Sequence, residues 1–339
     1  MRVICASVVT TLLVASGGSL AQADTVNLRY NRWLPPTHHV DVRVLAPFFK
    51  EVERVTSGRV KIGFTASSLG GIARQYELAA MGVADVTFLS ESLTPGKFPL
   101  AEIVEMPFLG DRTEAVSVAY WRVYKKYFEA KNPYRETHLL TLSTLPSYHI
   151  YNARRSLVRL ADFKGLKIRA AGALANAKVK ALGAVVVPAQ ITQFAEMISK
   201  GIVDGTYFTD DGVRAICFFK YLKYKTHFPR GLSGYSVAVV MNKRKWESIS
   251  AADRAAISKL AGERLSRQFG ASFDKSVASA RAAMKKAGVE TTTADATLMA
   301  AVVKRMAPIE AAWIAKAKKL GVGGAAALKM LRDEAAAYK

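Results

Sequence analysis

The spacing of apolar residues between residues 26 and 64 is the feature that most constrains the fold. Apolar and polar side chains alternate over 26–30, apolar residues recur at helical spacing over 44–55, and alternation returns over 60–64. Gly58 marks the end of the helical stretch, because glycine readily takes the left-handed conformation that ends many helices. A strand, a crossover helix and a second strand form a βαβ unit, and such units build parallel sheets. The chain is therefore predicted to be an α/β protein.

Two later segments share one pattern that ends a helix and begins a strand. Residues 77–85 read E-x-x-x-x-G-V-A-D, and residues 196–204 read E-x-x-x-x-G-I-V-D. The repeat fits two similarly built lobes, although two unrelated helix ends would give the same pattern. Further strands are predicted near 149–152, 166–169, 185–188 and 235–241, and further helices over 173–182 and 191–200.

One unusually long helix is predicted over 250–286. Ser250 and Asp253 have the spacing of a capping box at its start. At 1.5 Å per residue such a helix would be about 55 Å long, which is more than one lobe spans. The remaining C-terminal part is rich in alanine and lysine and is predicted to be helical, with interruptions at Pro308 and at 321–324.

The first 23 residues have the features of a secretory signal peptide. Arg2 gives a positive start, residues 3–15 are apolar or small, and residues 21–23 read Ala-Gln-Ala before Asp24. This apolar run is too short to cross a bilayer, and no later run reaches the roughly 18 apolar residues that a membrane helix needs. We therefore expect cleavage before Asp24, a periplasmic location and a mature chain that is not embedded in the membrane.

The charge of the chain suggests anionic partners. Its 339 residues include 49 Lys and Arg against 27 Asp and Glu, a formal net charge of +22. Such an excess is typical of proteins that bind nucleic acids, anionic membranes or acidic small molecules. Export argues against nucleic acid as a partner. In addition, no aromatic residues alternate with the C-terminal lysines to form a platform on which bases could stack. The positive charge fits electrostatic steering of a small anion toward the protein. We prefer the simpler explanation that the exported proteins of some bacteria are generally basic.

The motifs of common enzyme sites are absent from the sequence. It has no G-x-S-x-G, no phosphate-binding G-x-x-x-x-G-K-[ST], no G-x-G-x-x-G, no H-E-x-x-H and no C-x-x-C. No catalytic residue, metal or cofactor is therefore predicted, and Cys217 is expected to pack in the core. Arg169 ends an apolar strand, at the edge where open α/β sheets bind ligands. Its guanidinium can donate two parallel hydrogen bonds to a carboxylate, although position alone does not distinguish it from a surface arginine.

Three segments, in order, resemble one known family. Residues 161–169 read A-D-F-K-G-L-K-I-R, residues 181–188 begin A-L-G-A and end in proline, and residues 200–205 read K-G-I-V-D-G. With shorter pieces along most of the chain, they resemble the solute-binding subunits of tripartite ATP-independent periplasmic (TRAP) transporters of the DctP type. The resemblance implies two α/β lobes that close around a small organic acid, and one long helix that crosses both lobes. It also implies that Arg169 pairs with the ligand carboxylate.

Two positions depart from the sialic-acid-binding members of that family. A second arginine of those members falls at or near His149, and an asparagine of those members falls at Phe208. The aromatic replacement argues against sialic acid and favours a flatter, more apolar ligand or a bulkier pocket wall. Trp33 and Tyr235 are further candidates for aromatic walls, although either could instead belong to the core. The predicted ligand-binding residues are Arg169, Trp33, His149, Phe208 and Tyr235.

Together these features predict a two-lobed periplasmic binding protein, type II-like, with mixed and largely parallel sheets. Residues 24–147 and 235–273 would form one lobe, and residues 148–234 and 274–339 the other. The expected function is capture of a C4-dicarboxylate, a 2-oxo or 2-hydroxy acid, or an aromatic acid. A monomer without enzyme activity would deliver this anion to TRAP membrane subunits. The alternatives are a binding protein of an ABC transporter, an input protein of an extracytoplasmic sensing system, and an enzyme on the same fold.

Overall fold

The computed structural model describes residues 25–94, 96–232 and 234–338. Their strands form two separate sheets, of five and six strands, so the predicted mixed α/β fold is confirmed. The predicted signal peptide lies outside the described residues. Within the described part of the chain, no helix is both long and apolar enough to cross a membrane.

The first sheet contains both strands of the predicted βαβ unit. It consists of β1 (Val26–Tyr30), β2 (Val60–Phe64), β3 (Val86–Ser90), β4 (Thr137–Thr144) and β10 (Ser236–Asn242). Their order is β2-β1-β3-β10-β4. Strand β1 is parallel to β2 and β3, whereas β10 is antiparallel to β3 and β4.

The second sheet is built from the middle of the chain and one late strand. It consists of β5 (Tyr148–Asn152), β6 (Lys167–Ala170), β7 (Val185–Pro188), β8 (Gly205–Thr209), β9 (Tyr224–His227) and β11 (Glu290–Thr293). Their order is β11-β9-β5-β8-β6-β7. Strand β5 is antiparallel to both of its neighbours, while β6 is parallel to β7 and β8 and β11 is parallel to β9.

Helices cover both faces of each sheet. Those in the described residues are α1 (Ala46–Val55), α2 (Gln75–Ala80), α3 (Thr113–Val123), α4 (Ala173–Ala181), α5 (Phe194–Ser199), α6 (Asp210–Ala215), α7 (Lys243–Ser248), α8 (Ala251–Leu260), α9 (Gly262–Lys286), α10 (Ala296–Lys319) and α11 (Gly324–Ala337). Val239 and Val240 of β10 belong to different hydrophobic clusters, one on each face of the first sheet. Successive strand residues point to opposite faces, so a strand that is covered on both sides is an unbroken apolar run.

The predicted long helix is present but interrupted. Ser250 caps α8, since its hydroxyl accepts a hydrogen bond from the Asp253 N–H at 3.1 Å. The chain then bends at Gly262, which has a φ of +61°, and a Cβ there would lie 2.9 Å from the Trp121 ring. The second piece, α9, has 25 residues and is about 37 Å long. Phe269 of α9 packs in the core of the first sheet and Met284 in that of the second, so α9 still crosses both halves.

Two local predictions were wrong. Helix α10 continues through Pro308 without interruption. Pro308 lies on the exposed face, so water can hydrogen-bond the carbonyl that its missing N–H leaves unpaired. Cys217 is exposed rather than packed in the core. It occupies the left-handed region, with φ of 53°, directly before a short 3-10 turn.

The chain crosses between the sheets from β4 to β5 and from β9 to β10. The two crossing segments contact each other, because the Leu145 N–H donates to the Tyr235 carbonyl at 2.7 Å. These crossings lie near the predicted lobe boundaries at 147/148 and 234/235. The boundaries themselves remain a prediction.

Candidate functional site

Arg169 lies near the carboxyl end of β6, at an edge that three strands share. Because β6 is parallel to both β7 and β8, the three strands end on the same side of the second sheet. This is the edge at which open α/β sheets bind ligands. The apolar residue Ile168 anchors the strand in the core, so the arginine that follows is held at the edge by its backbone.

The guanidinium of Arg169 is buried but has little hydrogen bonding within the protein. Arg169 is 4% exposed, and its Nε donates a hydrogen bond to the Ala189 carbonyl at 2.9 Å. No carboxylate of the described residues lies within ion-pair distance of it, and its two terminal nitrogens have no acceptor among those residues. Burial lowers the pKa of Arg169 from its ordinary value, and the neighbouring Tyr148 and Tyr235 oppose that shift. An arginine nonetheless stays protonated at neutral pH.

Aromatic side chains surround this guanidinium. Its carbon lies 5.8 Å from the centre of the Phe208 ring, a cation–π distance. Tyr148 stacks on Tyr235, with ring centres 4.9 Å apart, and meets Phe208 edge-on at 6.0 Å. The Tyr235 hydroxyl donates to the Ala171 carbonyl, which fixes the ring. We call Tyr148, Phe208 and Tyr235 the aromatic wall.

A glycine makes room for the Phe208 ring. A Cβ at Gly212 would lie 2.3 Å from that ring, so any larger residue would displace it. The N–H of Gly212 is bound by the hydroxyl of Thr209 at 3.2 Å, which caps the short helix α6. The position of Phe208 therefore depends on the strand-to-helix turn that follows it.

The structure brings three of the five predicted ligand residues together: Arg169, Phe208 and Tyr235. Tyr148 joins them and was missed by the sequence analysis. The sequence signal that could have identified Tyr148 as a candidate is its aromatic ring directly before His149, at the start of a predicted strand. Nothing in the local pattern showed that this ring would meet Tyr235, since the two residues come from different crossing segments.

His149 lies with a different group of side chains on the same sheet. It is 1% exposed, its Nδ1 accepts from the Phe228 N–H at 3.3 Å, and its ring centre is 4.6 Å from that of His227. Burial lowers its pKa well below the ordinary value, with a further contribution from the charge of Lys225. A neutral, buried histidine beside a lysine is not a second carboxylate-binding cation at neutral pH.

Asp210 organises that group. Its carboxylate binds Lys225 Nζ at 2.6 Å and Arg281 Nε at 2.6 Å, and it accepts a hydrogen bond from the Tyr151 hydroxyl. Burial alone would raise the pKa of Asp210, but the charge of Lys225 and the hydrogen bonds from Lys225 and Tyr151 outweigh burial and hold that pKa below its usual range. We call Asp210, Lys225 and Arg281 the ion triad.

Trp33 lies beyond the carboxyl end of β1, on the first sheet. Its indole N–H donates to the Phe88 carbonyl at 2.7 Å, and its ring stacks on Phe88 with centres 6.0 Å apart. The half-buried ring thus packs against the core of the first sheet. No ring contact joins it to the aromatic wall in the described part of the chain.

The described residues offer no obvious place for a resident metal. No group of three or more histidine, cysteine, aspartate or glutamate side chains among them is arranged to hold an ion. The chemistry that the Arg169 region supports is the binding of an anion against aromatic rings.

The sequence matches a known protein family over most of its length. The model of bacterial extracellular solute-binding protein family 7, DctP, matches residues 33–316. A relative from Comamonas testosteroni, named outer membrane transporter protein TsaT, is 28% identical over 332 residues, 97% of this chain and 98% of the relative.

Solved structures show the same fold. A TRAP periplasmic solute-binding protein of Bordetella bronchiseptica, with bound (R)- and (S)-mandelate, is 30% identical with a TM-score of 0.86, covering 93% of this chain and 100% of that one. A TRAP solute-binding protein of Rhodoferax ferrireducens, in complex with copurified benzoate, is 24% identical with a TM-score of 0.82. The match covers 92% of this chain and 98% of that one. The family match covers most of this chain, so the chain belongs to bacterial extracellular solute-binding protein family 7, the DctP family.

Proposed function

We propose that this protein captures a small aromatic carboxylate in the periplasm and delivers it to the membrane subunits of a TRAP transporter. The observation that carries the proposal is the buried guanidinium of Arg169, which has no carboxylate partner among the described residues and lies against the aromatic wall. A buried charge is costly unless it is paired. A bound carboxylate would supply the missing counter-ion.

The surroundings of Arg169 favour one negative charge and one flat ring. Among the described residues, Arg169 is the only cation with a cation–π contact to the aromatic wall. A C4-dicarboxylate would bring a second negative charge, for which the cation–π contacts of the aromatic wall show no second cation among the described residues. Stacked and edge-on rings, by contrast, are the arrangements in which aromatic groups attract one another. The mandelate bound by the Bordetella bronchiseptica relative has this chemistry, a carboxylate next to a ring.

Ligand entry would require the two halves of the protein to separate. Arg169 is 4% exposed, so only a small part of this residue is open to solvent in this arrangement. Hinge closure around a ligand is a common mode of domain motion. Capture would consist of docking at Arg169 followed by closure, without a chemical step.

The test is a calorimetric titration of the purified protein, unfolded and refolded first to remove bound ligand. The panel would hold benzoate, (R)- and (S)-mandelate, lactate and succinate, with mandelamide as a neutral analogue. We expect binding of the aromatic acids and none of mandelamide. Removing one partner of a buried charged pair costs about 2–5 kcal/mol, so Arg169→Ala should weaken binding by roughly thirtyfold to several thousandfold.

Lys167→Ala is the matched control. Lys167 precedes Arg169 by two residues in β6 and is exposed, so its loss removes the same charge without touching the site. Unchanged affinity of Arg169→Ala, or equal losses in the two variants, would contradict the proposal. Delivery is tested separately, by transport of the labelled acid into vesicles that hold the membrane subunits.

A further inference from the structure

A second basic region lies on the face of the second sheet, at its β11 edge. Strands β9 and β11 form its floor, with Lys225 and His227 on β9 and Thr291 and Thr293 on β11. These residues pair in register, Thr291 with Lys225 and Thr293 with His227, so the four side chains share one face. The last turns of α9 form the wall and contribute Arg281 and Lys285. Together they enclose a groove of about 440 Å³.

Cations outnumber carboxylates around this groove. Lys225 and Arg281 share the single carboxylate of Asp210, and Lys285 adds a third positive charge. The other carboxylate close enough to affect Lys225 and Arg281 is that of Asp111. Asp111 also accepts the Arg230 N–H at 3.0 Å. The surplus positive charge lies on a partly enclosed surface, where electrostatic attraction is stronger than in bulk water.

The directions of the donors distinguish this groove from the Arg169 site. Arg281 uses its Nε to bind Asp210, so it cannot offer that edge to a second carboxylate. The remaining donors come from three elements: a terminal guanidinium nitrogen and an ammonium from α9, an imidazole from β9, and two hydroxyls from β11. Single donors on several sides of a groove suit a tetrahedral oxyanion better than a planar carboxylate.

We propose that this groove is a second binding site, which takes a phosphate monoester. The phosphoryl group would contact Arg281, Lys285 and the hydroxyls of Thr291 and Thr293. The groove has room for more than a phosphoryl group, and Met284 and Val289 give it an apolar side for the attached organic part. This site is independent of the carboxylate site at Arg169. The same phosphoryl chemistry occurs in free metabolites and in lipid headgroups.

The test is calorimetry with inorganic phosphate and glycerol 3-phosphate, and sedimentation with vesicles that contain phosphatidic acid or only phosphatidylcholine. We expect saturable binding of glycerol 3-phosphate if the source is soluble, or of phosphatidic acid vesicles alone if it is a lipid. Hydrogen bonds to charged groups contribute about 1.5–3 kcal/mol, so Lys285→Ala should weaken binding about tenfold or more. The double variant Thr291→Val/Thr293→Val, which keeps side-chain shape, should also weaken it.

Lys286→Ala is the matched control, since Lys286 is the next residue of α9, is also exposed, and does not line the groove. It should bind the phosphate probes like the unmodified protein. Both lysine variants should bind the aromatic acid normally, and Arg169→Ala should still bind the phosphate probe. The proposal is overturned if neither probe class binds, if the two lysine variants lose affinity equally, or if Arg169→Ala abolishes phosphate binding.

Discussion

Arg169 and Lys225 are two almost fully buried cations on the same sheet, with opposite surroundings. Arg169 is 4% exposed and has no carboxylate partner among the described residues, whereas Lys225 is 3% exposed and binds Asp210 at 2.6 Å. The chain supplies the counter-ion of Lys225, and we propose that a ligand supplies that of Arg169. Burial alone therefore does not mark a residue as a candidate for ligand binding, whereas burial of a charge without an internal partner does.

A buried acid extends the comparison. Glu91 accepts hydrogen bonds from Tyr120 and Tyr134 and has no cation beside it among the described residues. Burial raises the pKa of Glu91 to about 7, although Tyr134 and Tyr120 partly oppose the shift. Asp210, which has two cations, shows the opposite shift. Three substitutions test whether an internal partner decides what a buried charge does, and a fourth tests the aromatic wall.

The largest effect is expected for Asp210→Asn. This change leaves Lys225 buried without its counter-ion and weakens the contact to Arg281. Removing one member of a buried pair costs about 3–5 kcal/mol, so the free energy of unfolding, measured by urea denaturation, should fall by that amount. Asp211→Asn is the matched control. Burial raises the pKa of Asp211 to about 6, and a neutral amide removes that cost, so stability should not fall. Equal losses of unfolding free energy in both variants would show that the loss does not come from breaking the ion triad.

Arg169→Ala should separate affinity from stability. The aromatic acid should bind at least thirtyfold more weakly, for the reason given above. The free energy of unfolding without ligand should fall by less than it does for Asp210→Asn, because no internal ion pair is lost. Denaturation curves with and without ligand provide both quantities. A loss of stability as large as that of Asp210→Asn would mean that Arg169 is structural.

Glu91→Gln should change how stability depends on pH. The folded protein holds the Glu91 proton more tightly than the unfolded chain, where a glutamate has a pKa of about 4.3. The wild-type protein should therefore lose stability from this group as pH rises from about 4 to about 7. Relative to wild type, Glu91→Gln should gain up to about 3 kcal/mol over that window. Denaturation at a series of pH values measures the difference, and a difference that does not vary with pH would contradict the assignment.

The smallest effect is expected for Phe208→Leu. An aromatic contact is worth about 0.5–1.5 kcal/mol beyond area burial, so mandelate should bind a few-fold to roughly tenfold more weakly. Lactate is the internal control, since it keeps the 2-hydroxy acid and replaces the ring by a methyl group. Calorimetry that shows the same loss for both acids would place Phe208 in the scaffold rather than in the ring contact.

Several elements were predictable because their signals are local. The alternation over β1 and β2, and the helical spacing between them, show in the residues of each element. The place of Arg169 at the sheet edge was predictable in the same way, but its role in binding a carboxylate was implied only by the family resemblance. Strand β4 was missed, although it forms one edge of the first sheet. Its partner β10 lies almost 100 residues later in the chain, and no local pattern shows that pairing.

The long helix shows the same division. Its apolar face is recognisable over 250–286, but the sequence does not show that Gly262 lies against Trp121, more than 100 residues earlier, where a Cβ would be 2.9 Å from the ring. Pro308 is the reverse case. Its local signal predicts a break, yet the helix continues because the residue lies on the solvent face.

The α/β class, the family resemblance and the arginine at the end of β6 follow from the amino-acid sequence alone. The residues that lie beside Arg169 depend instead on contacts between distant parts of the chain. In the folded chain Tyr148 lies beside Tyr235 and Phe208, and His149 contacts His227. Asp210 pairs with Lys225 and Arg281. The physical reason is range: backbone periodicity acts over a few residues, whereas a charge is paired or left unpaired by contacts between distant parts of the chain.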